Sequence, residues 1–143
     1  MPANLMSIKS ERTRAKIIDA ALKITMSEGF DKATFVHIAE TAGISKSGIN
    51  AHFKRKSDIA AQLAPIYIQM IKEPLNFDST TDFYNSWVDS FNTNAQFKAA
   101  ILSVGPIIPK LDGVKGLFDT INGHPEDVKR CVYMCVGFSV INS

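Results

Sequence analysis

Residues 39–58 read AETAGISKSGINAHFKRKSD, with a small residue, a glycine, a run of hydroxyls and then a knot of basic side chains. Gly43 permits a turn, Ser45 has the chemistry of an N-cap, and Ile49 and Phe53 recur at helical spacing. With residues at about 100° intervals and Ile49 pointing inward, Ser47, Ala51 and Lys54 point directly away, bordered by Gly48 and Asn50. That outer side is short and polar, where a solvated helix ordinarily carries Glu, Lys and Arg. A helix that enters a DNA major groove needs short hydroxyl or amide side chains there, with cations at its edges for phosphates. Gly48 costs about 1 kcal/mol against alanine inside a helix. Either a close approach to a partner or a tight packing contact within the domain offsets that cost.

Working outward, Ile38-Ala39, Ala42-Gly43-Ile44 and Ile49 have the spacing of a helix-turn-helix: alanine for a close crossing, glycine for the turn, aliphatics for the wedge. Helix pairs under the same constraints also occur in proteins that never touch DNA. Upstream, the spacing predicts a first helix over Ser10–Ser27 with Ile17, Ile18, Ala21, Leu22 and Thr25 inward, ended by Gly29. Thr34 caps a second helix through Thr41, and Ser45 caps the third, to Lys54. Downstream, Ser57 caps a fourth helix, Asp58 to Lys72, kinked at Pro65 and stopped by Glu73-Pro74. A fifth helix starts near Thr80, Pro106 and Pro109 break the chain beyond it, and a last helix starts at His124-Pro125. Strand-type alternation is absent, so the chain is expected to be all-α.

Composition fits a globular protein: 143 residues, 45% hydrophobic and 21% charged. The net charge of +2 hides an asymmetry. Residues 1–60 hold ten Lys and Arg against six Asp and Glu, and residues 61–143 hold six against eight. A polyanion partner is expected at the N-terminal end. Cys131 and Cys135 share one helix face and read as small buried hydrophobes rather than a disulfide. The N-terminal segment has no secretory pattern, and the longest apolar stretch, Cys131–Ile141, is too short to span a bilayer. A cytoplasmic, non-membrane protein is expected. No glycine-rich phosphate loop or paired-carboxylate site is legible. His124 with Cys131 and Cys135 lacks zinc spacing, so neither catalysis, metal nor cofactor is expected.

The ordered set Ile17-Ile18-Asp19-Ala20-Ala21-Leu22, Glu28-Gly29-Phe30, Thr34, Ile38-Ala39, Ala42-Gly43-Ile44-Ser45-Lys46 and His52-Phe53 followed by Lys56 resembles the N-terminal domain of the TetR (tetracycline-repressor) family of bacterial transcription regulators. The resemblance spans residues 14–59, about a third of the chain. It implies a bacterial DNA-binding regulator, usually a repressor, in which Lys46, Ser47 and Gly48 approach base edges while His52 and Lys56 hold the phosphate backbone. Thr34 is set to meet another phosphate. Lys9, Arg12 and Arg14 form a basic arm toward the backbone or a minor groove. The full DNA-facing set is Thr34, His37, Ser45, Lys46, Ser47, Gly48, Asn50, His52, Lys54 and Lys56. Two departures bear on which operator is read. Asn50 stands where the family commonly has tyrosine, and Val36 stands where some members carry a polar or basic residue.

Beyond residue 60 the resemblance fades. The expected organisation is a helix-turn-helix domain over 1–58 and a short helical dimerisation and possible ligand-binding domain over 59–143. Val128, Cys131, Val132, Cys135 and Ser139 form a stripe of small and branched residues that either packs within the chain or meets a second copy. A palindromic operator and the family's usual dimer bundle favour a homodimer, with residues 114–122 as companion helix. Phe83, Trp87 and Phe91 form either core or, with Tyr67, Met70 and Ile101, the wall of a pocket for a small apolar effector. Such an effector would act through the fourth helix on the spacing of two recognition helices. The competing reading is a shortened family member that dimerises with a protein partner and binds no operator, motivated by Asn50 and the short second half.

Overall fold

In a computed structural model, residues 5–108, 116 and 118–143 are described. Among them the regular elements are helices: α1 Leu5–Glu28, a 3-10 turn Phe30–Lys32, α2 Phe35–Ala42, α3 Lys46–His52, α4 Lys56–Lys72, α5 Thr80–Thr93, α6 Ala95–Ser103 and α7 Pro125–Ile141. The chain forms two compact units that divide after Leu63. The expected break at 58/59 lies slightly earlier, and α4 contributes residues to both units.

In the first unit the caps form where local chemistry demands. Gly29, at φ 99°, stops α1 and donates its N–H to the Thr25 carbonyl. Thr34 accepts from the His37 N–H at 3.1 Å, and Gly43, at φ 70°, ends α2 in the left-handed conformation. Ser45 accepts from the Gly48 N–H at 3.0 Å. Ile17, Ala21, Ile24, Ile38, Ala39, Ile49, Phe53, Ile59 and Leu63 are buried. Each large aliphatic among them contributes about 1.5–3 kcal/mol on leaving water. Thr25 joins this core because its hydroxyl donates back to the Ala21 carbonyl at 2.7 Å.

Two expectations need correction here. Helix α1 starts at Leu5 rather than Ser10, so Lys9, Arg12 and Arg14 lie on a helix and form no extended arm. Helix α4 starts at Lys56, not after a Ser57 cap. Its first turn is held by Asp58, whose carboxylate accepts from the Arg55 N–H at 3.2 Å. It runs through Pro65 and ends at Lys72, as expected.

The second unit is built on aromatics. Trp87 meets Phe83 and Phe97, Phe83 meets Phe77 and Phe118, and Phe91 meets Phe138, in tilted or edge-on pairs 5.2–6.0 Å apart. Asn94 ends α5 and its side chain caps α6 by accepting from the Phe97 N–H, which makes a separate helix that apolar periodicity alone does not resolve. Helix α7 packs along α5, with His124 as its cap and Pro125 in its first turn. Of the companion helix expected over 114–122, residues 114, 115 and 117 lie outside the described residues and 119–122 are not helical, so the helix does not reach its expected end. The break at Pro109 also lies outside the described residues.

Candidate nucleic-acid interface

Helix α3 has seven residues, too few to persist alone, so its position is set by the caps and by what surrounds it. Ile49 is its buried anchor and Phe53 closes it by donating its N–H to the Ile49 carbonyl at 2.8 Å. Lys46, Ser47, Asn50, Ala51 and Lys54 are exposed. The outward side is therefore short, uncharged at its centre and flanked by ammonium groups. Ser45 is exposed as well, and its hydroxyl lies 3.1 Å from that of Ser47.

Gly48 stands at the edge of this side, half-buried, not at its centre. A Cβ built there would lie 3.2 Å from Ser45 Oγ. The glycine thus has an internal reason: it leaves room for the capping hydroxyl that its own N–H needs.

Thr34 is exposed, ahead of α2 and its free N-terminal amides. Val36, in the first turn of α2, is 50% exposed and apolar. His37 is turned to α1, where Nε2 lies 2.9 Å from the Glu28 carboxylate. That exposed contact contributes well under 1 kcal/mol unless the ring is protonated.

Two cations expected near DNA are engaged inside the unit. The Lys56 ammonium donates to the Phe30 carbonyl at 2.6 Å and sits 4.3 Å from the centroid of the Phe30 ring. In this DNA-free chain the Lys56 head group is turned to the 3-10 turn. Arg14 stacks 4.4 Å over the Phe53 ring, with Nη1 3.5 Å from the carbonyl of His52. Sequence reasoning could not find either contact, since an exposed-looking cation gives no sign of an aromatic 26 or 39 residues away. His52 itself is half-buried.

In the second unit, the six residues offered as a pocket wall lie in or against packed core. Phe83, Trp87, Phe91 and Tyr67 are buried, while Met70 and Ile101 are half-buried. The Tyr67 hydroxyl is 2.7 Å from Ser103 Oγ, and burial pushes its pKa above 10.0. A shallow groove of about 260 Å³ lies elsewhere, between the starts of α5 and α7, lined by Thr80, Thr81, Tyr84, Asp127, Arg130, Cys131 and Met134.

The stripe assigned to dimerisation also needs correction. Cys131, Cys135 and Ser139 are buried against α5: Ser139 Oγ accepts from the Trp87 indole N–H at 2.8 Å and donates to the Cys135 carbonyl at 2.9 Å. Cys131 Sγ is 3.3 Å from the Thr80 carbonyl oxygen, and Val128 and Val132 are half-buried beside them. The side of α7 that faces out carries Tyr133, Met134, Val136, Val140 and Ile141, around a Gly137 with open space beside it. Burial pushes both thiols above the ordinary 9.0, Cys135 furthest, with Cys131 beside it raising it further. Among the described residues no helix is long and apolar enough to cross a membrane, and no group of His, Cys, Asp and Glu could hold a metal ion.

Residues 17–63 match the family described as bacterial regulatory proteins, tetR family. The HTH-type transcriptional regulator SrpR of Pseudomonas putida is 31% identical over 80 residues, which cover 56% of this chain and 36% of that protein. An uncharacterized HTH-type transcriptional regulator, TtgW, also of Pseudomonas putida, is 30% identical over 80 residues, 56% of this chain and 57% of that one. The HTH-type transcriptional regulator AcrR of Shigella flexneri is 33% identical over 55 residues, 38% and 26% of the two chains. The matched part is therefore less than two thirds of each relative's length. Capped α2, the glycine turn and α3 all fall inside the matched segment, and residues 17–63 belong to the TetR family of bacterial regulatory proteins as its N-terminal helix-turn-helix domain.

Proposed function

We propose that the chain is a sequence-selective DNA-binding regulator of transcription that acts as a homodimer on a palindromic operator. The observation that carries this reading is the outward side of α3, where exposed Ser47, Asn50 and Ala51 lie between exposed Lys46 and Lys54. Side chains that short let the helix sit deep in a major groove, and the amide of Asn50 matches the paired donor and acceptor of an adenine edge. In this reading Lys46, Ser47 and Asn50 read bases. Lys54 and His52 hold one strand, and Thr34 with the first amides of α2 meets the other. The relatives named as transcriptional regulators and the basic N-terminal half support it.

One seven-residue helix covers few base pairs, so selectivity needs a second copy, and two-fold symmetry gives an inverted repeat. The outward apolar side of α7 is the surface this reading gives to the second protomer. Occupying promoter DNA makes the protein a repressor. Release by a small apolar molecule completes the reading. It requires the aromatic core of the second unit to open, with Met70 and Ile101 its least buried members.

Selection of bound sequences from random duplex DNA tests the proposal. An inverted repeat with two half-sites is expected, bound with an affinity that falls steeply as salt rises. A single half-site would remove the dimer and keep DNA binding. Failure to select any sequence at any salt would leave the regulator acting through a protein partner.

A further inference from the structure

Among the described side chains of the first unit, Val36 is the one large hydrophobic left exposed, at 50%. A single exposed valine is ordinary on a protein surface. What distinguishes this one is its place. It is the second residue of α2, just beyond the Thr34 cap. His37 is turned to Glu28 on α1, and Ile38 and Ala39 are buried. Val36 lies about 100° round the helix from His37, so it points away from the α1 contact and out of the core.

Local chemistry does not account for a valine there. Alanine, lysine and glutamate all form helix more readily, and an acid suits a first turn because it faces the positive end of the helix. Helices α4, α5 and α7 do carry acids in their first turns, whereas α2 carries none. Glu40, exposed on the same side, comes a full turn further from the cap. The opening amides of α2 are thus left to an outside anion, and Val36 stands beside them without charge.

The interface proposed above sets Thr34 and those amides against a phosphate, at the lip of the major groove. A side chain in the same turn sits between that lip and the base edges. Val36 has no donor or acceptor, so a polar base edge pressed against it would lose its water without replacement. The major groove offers one apolar group, the 5-methyl of thymine. A branched, uncharged side chain packs on that group and on nothing else there.

We propose that Val36 is a specificity-determining residue that packs on the 5-methyl group of a thymine in each half-site. The proposal rests on the duplex-binding reading above. It adds a base requirement that the polar side of α3, through Lys46, Ser47 and Asn50, does not supply. A 5-methylcytosine presents the same group and is separated from thymine by the test.

The assay is binding of the full chain to the inverted repeat it selects, with each thymine replaced in turn by deoxyuridine, which removes only the methyl. At one thymine per half-site the parent is expected to lose about fourfold, the worth of one buried methyl-sized group. Val36→Ala should bind the thymine duplex about fourfold more weakly and lose nothing further on the deoxyuridine duplex. Its unfolding midpoint is expected to match or exceed that of the parent, since the side chain is exposed and alanine favours helix. Putting a cytosine–guanine pair at that position, with and without a 5-methyl on the cytosine, tests the methyl apart from the rest of thymine. Methylation should tighten the parent about fourfold and leave Val36→Ala unmoved. Val36→Lys tests the location, and is expected to raise the salt slope by about one per protomer. A selected half-site without thymine, equal deoxyuridine losses in parent and Val36→Ala, or an unchanged slope in Val36→Lys each overturns the proposal while DNA binding stands. If the parent selects no duplex, the regulator reading falls and this proposal falls with it.

Discussion

Alanine at position 48 tests why a glycine stands in the shortest helix of the first unit. In an open helix Gly48→Ala gains about 1 kcal/mol. Here the new Cβ would lie 3.2 Å from Ser45 Oγ, a hydroxyl already engaged by the Gly48 N–H at 3.0 Å and lying 3.1 Å from Ser47 Oγ. Displacing that cap forfeits about 1 kcal/mol, so Gly48→Ala alone is expected to change stability by less than about 0.5 kcal/mol. Ser45→Ala is expected to destabilise by about 1 kcal/mol. In the Ser45→Ala background the obstructing oxygen is gone, and Gly48→Ala should then recover its full gain of about 1 kcal/mol. The coupling, about 1 kcal/mol, is the quantity to measure. The single tryptophan, Trp87, lies in the second unit and does not report on α3. Native-state hydrogen exchange at the Ile49 and Phe53 amides supplies the local free energies instead. An equal gain in both backgrounds refutes the steric argument. Weaker duplex binding by Gly48→Ala without any such coupling would return the glycine to close approach of a partner.

Two further predictions concern the second unit. Ser139→Ala leaves the buried Trp87 indole N–H without its acceptor and is expected to destabilise by about 1–3 kcal/mol in urea unfolding followed by Trp87 fluorescence. A loss below about 0.5 kcal/mol would contradict the role given to that bond. The raised thiols of Cys131 and Cys135 are expected to resist alkylation at pH 8 until the unit unfolds. Unfolded thiols lose their protons near 9.0 and folded ones only higher, so the folded state binds more protons in between. Their contribution to stability is complete below about pH 9 and falls as pH rises above it. The unfolding midpoint of the parent should therefore drop between pH 8 and pH 10.5 more than that of Cys135→Ala, and parallel curves would refute the assignment.

Much of the first unit is legible because its signals are local. Thr34, Gly43 and Ser45 each act on an amide or a dihedral within a few residues, and each does in the structure what its chemistry predicts. The start of α1 at Leu5 has a local sign too, since Asn4, a residue type that favours the N-cap, directly precedes it. Ser10 offers the same chemistry further along, and the two are not told apart by type alone. Asn94 does carry a local signal, though a double one, since the same residue closes one helix and opens the next. Arg14 and Lys56 belong to a different class. A long cationic side chain has the reach to face water, a phosphate or an aromatic ring, and only the fold brings Phe53 and Phe30 beneath them.

Helix α7 shows how one polar atom selects between two apolar faces. Cys131, Cys135 and Ser139 line one side; Tyr133, Val140 and Ile141 line another, 62%, 67% and 83% exposed. Apolar content does not distinguish them, and by size the outward face is the greasier. What differs is the partner on α5: Trp87 carries an indole N–H that must find an acceptor when buried, and Ser139 Oγ supplies it. Turning the larger side inward would bury the indole without that bond and press Tyr133 and Ile141 into the space that two thiols and a hydroxymethyl now fill. Small residues in a helical stripe thus mark the side of closest approach, and here the close neighbour is α5 of the same chain. A serine inside such a stripe is the sequence sign that its partner bears a buried donor. The face left outside is large, branched and free of charge from Tyr133 to Ile141, which is why the proposed homodimer is given this face to cover.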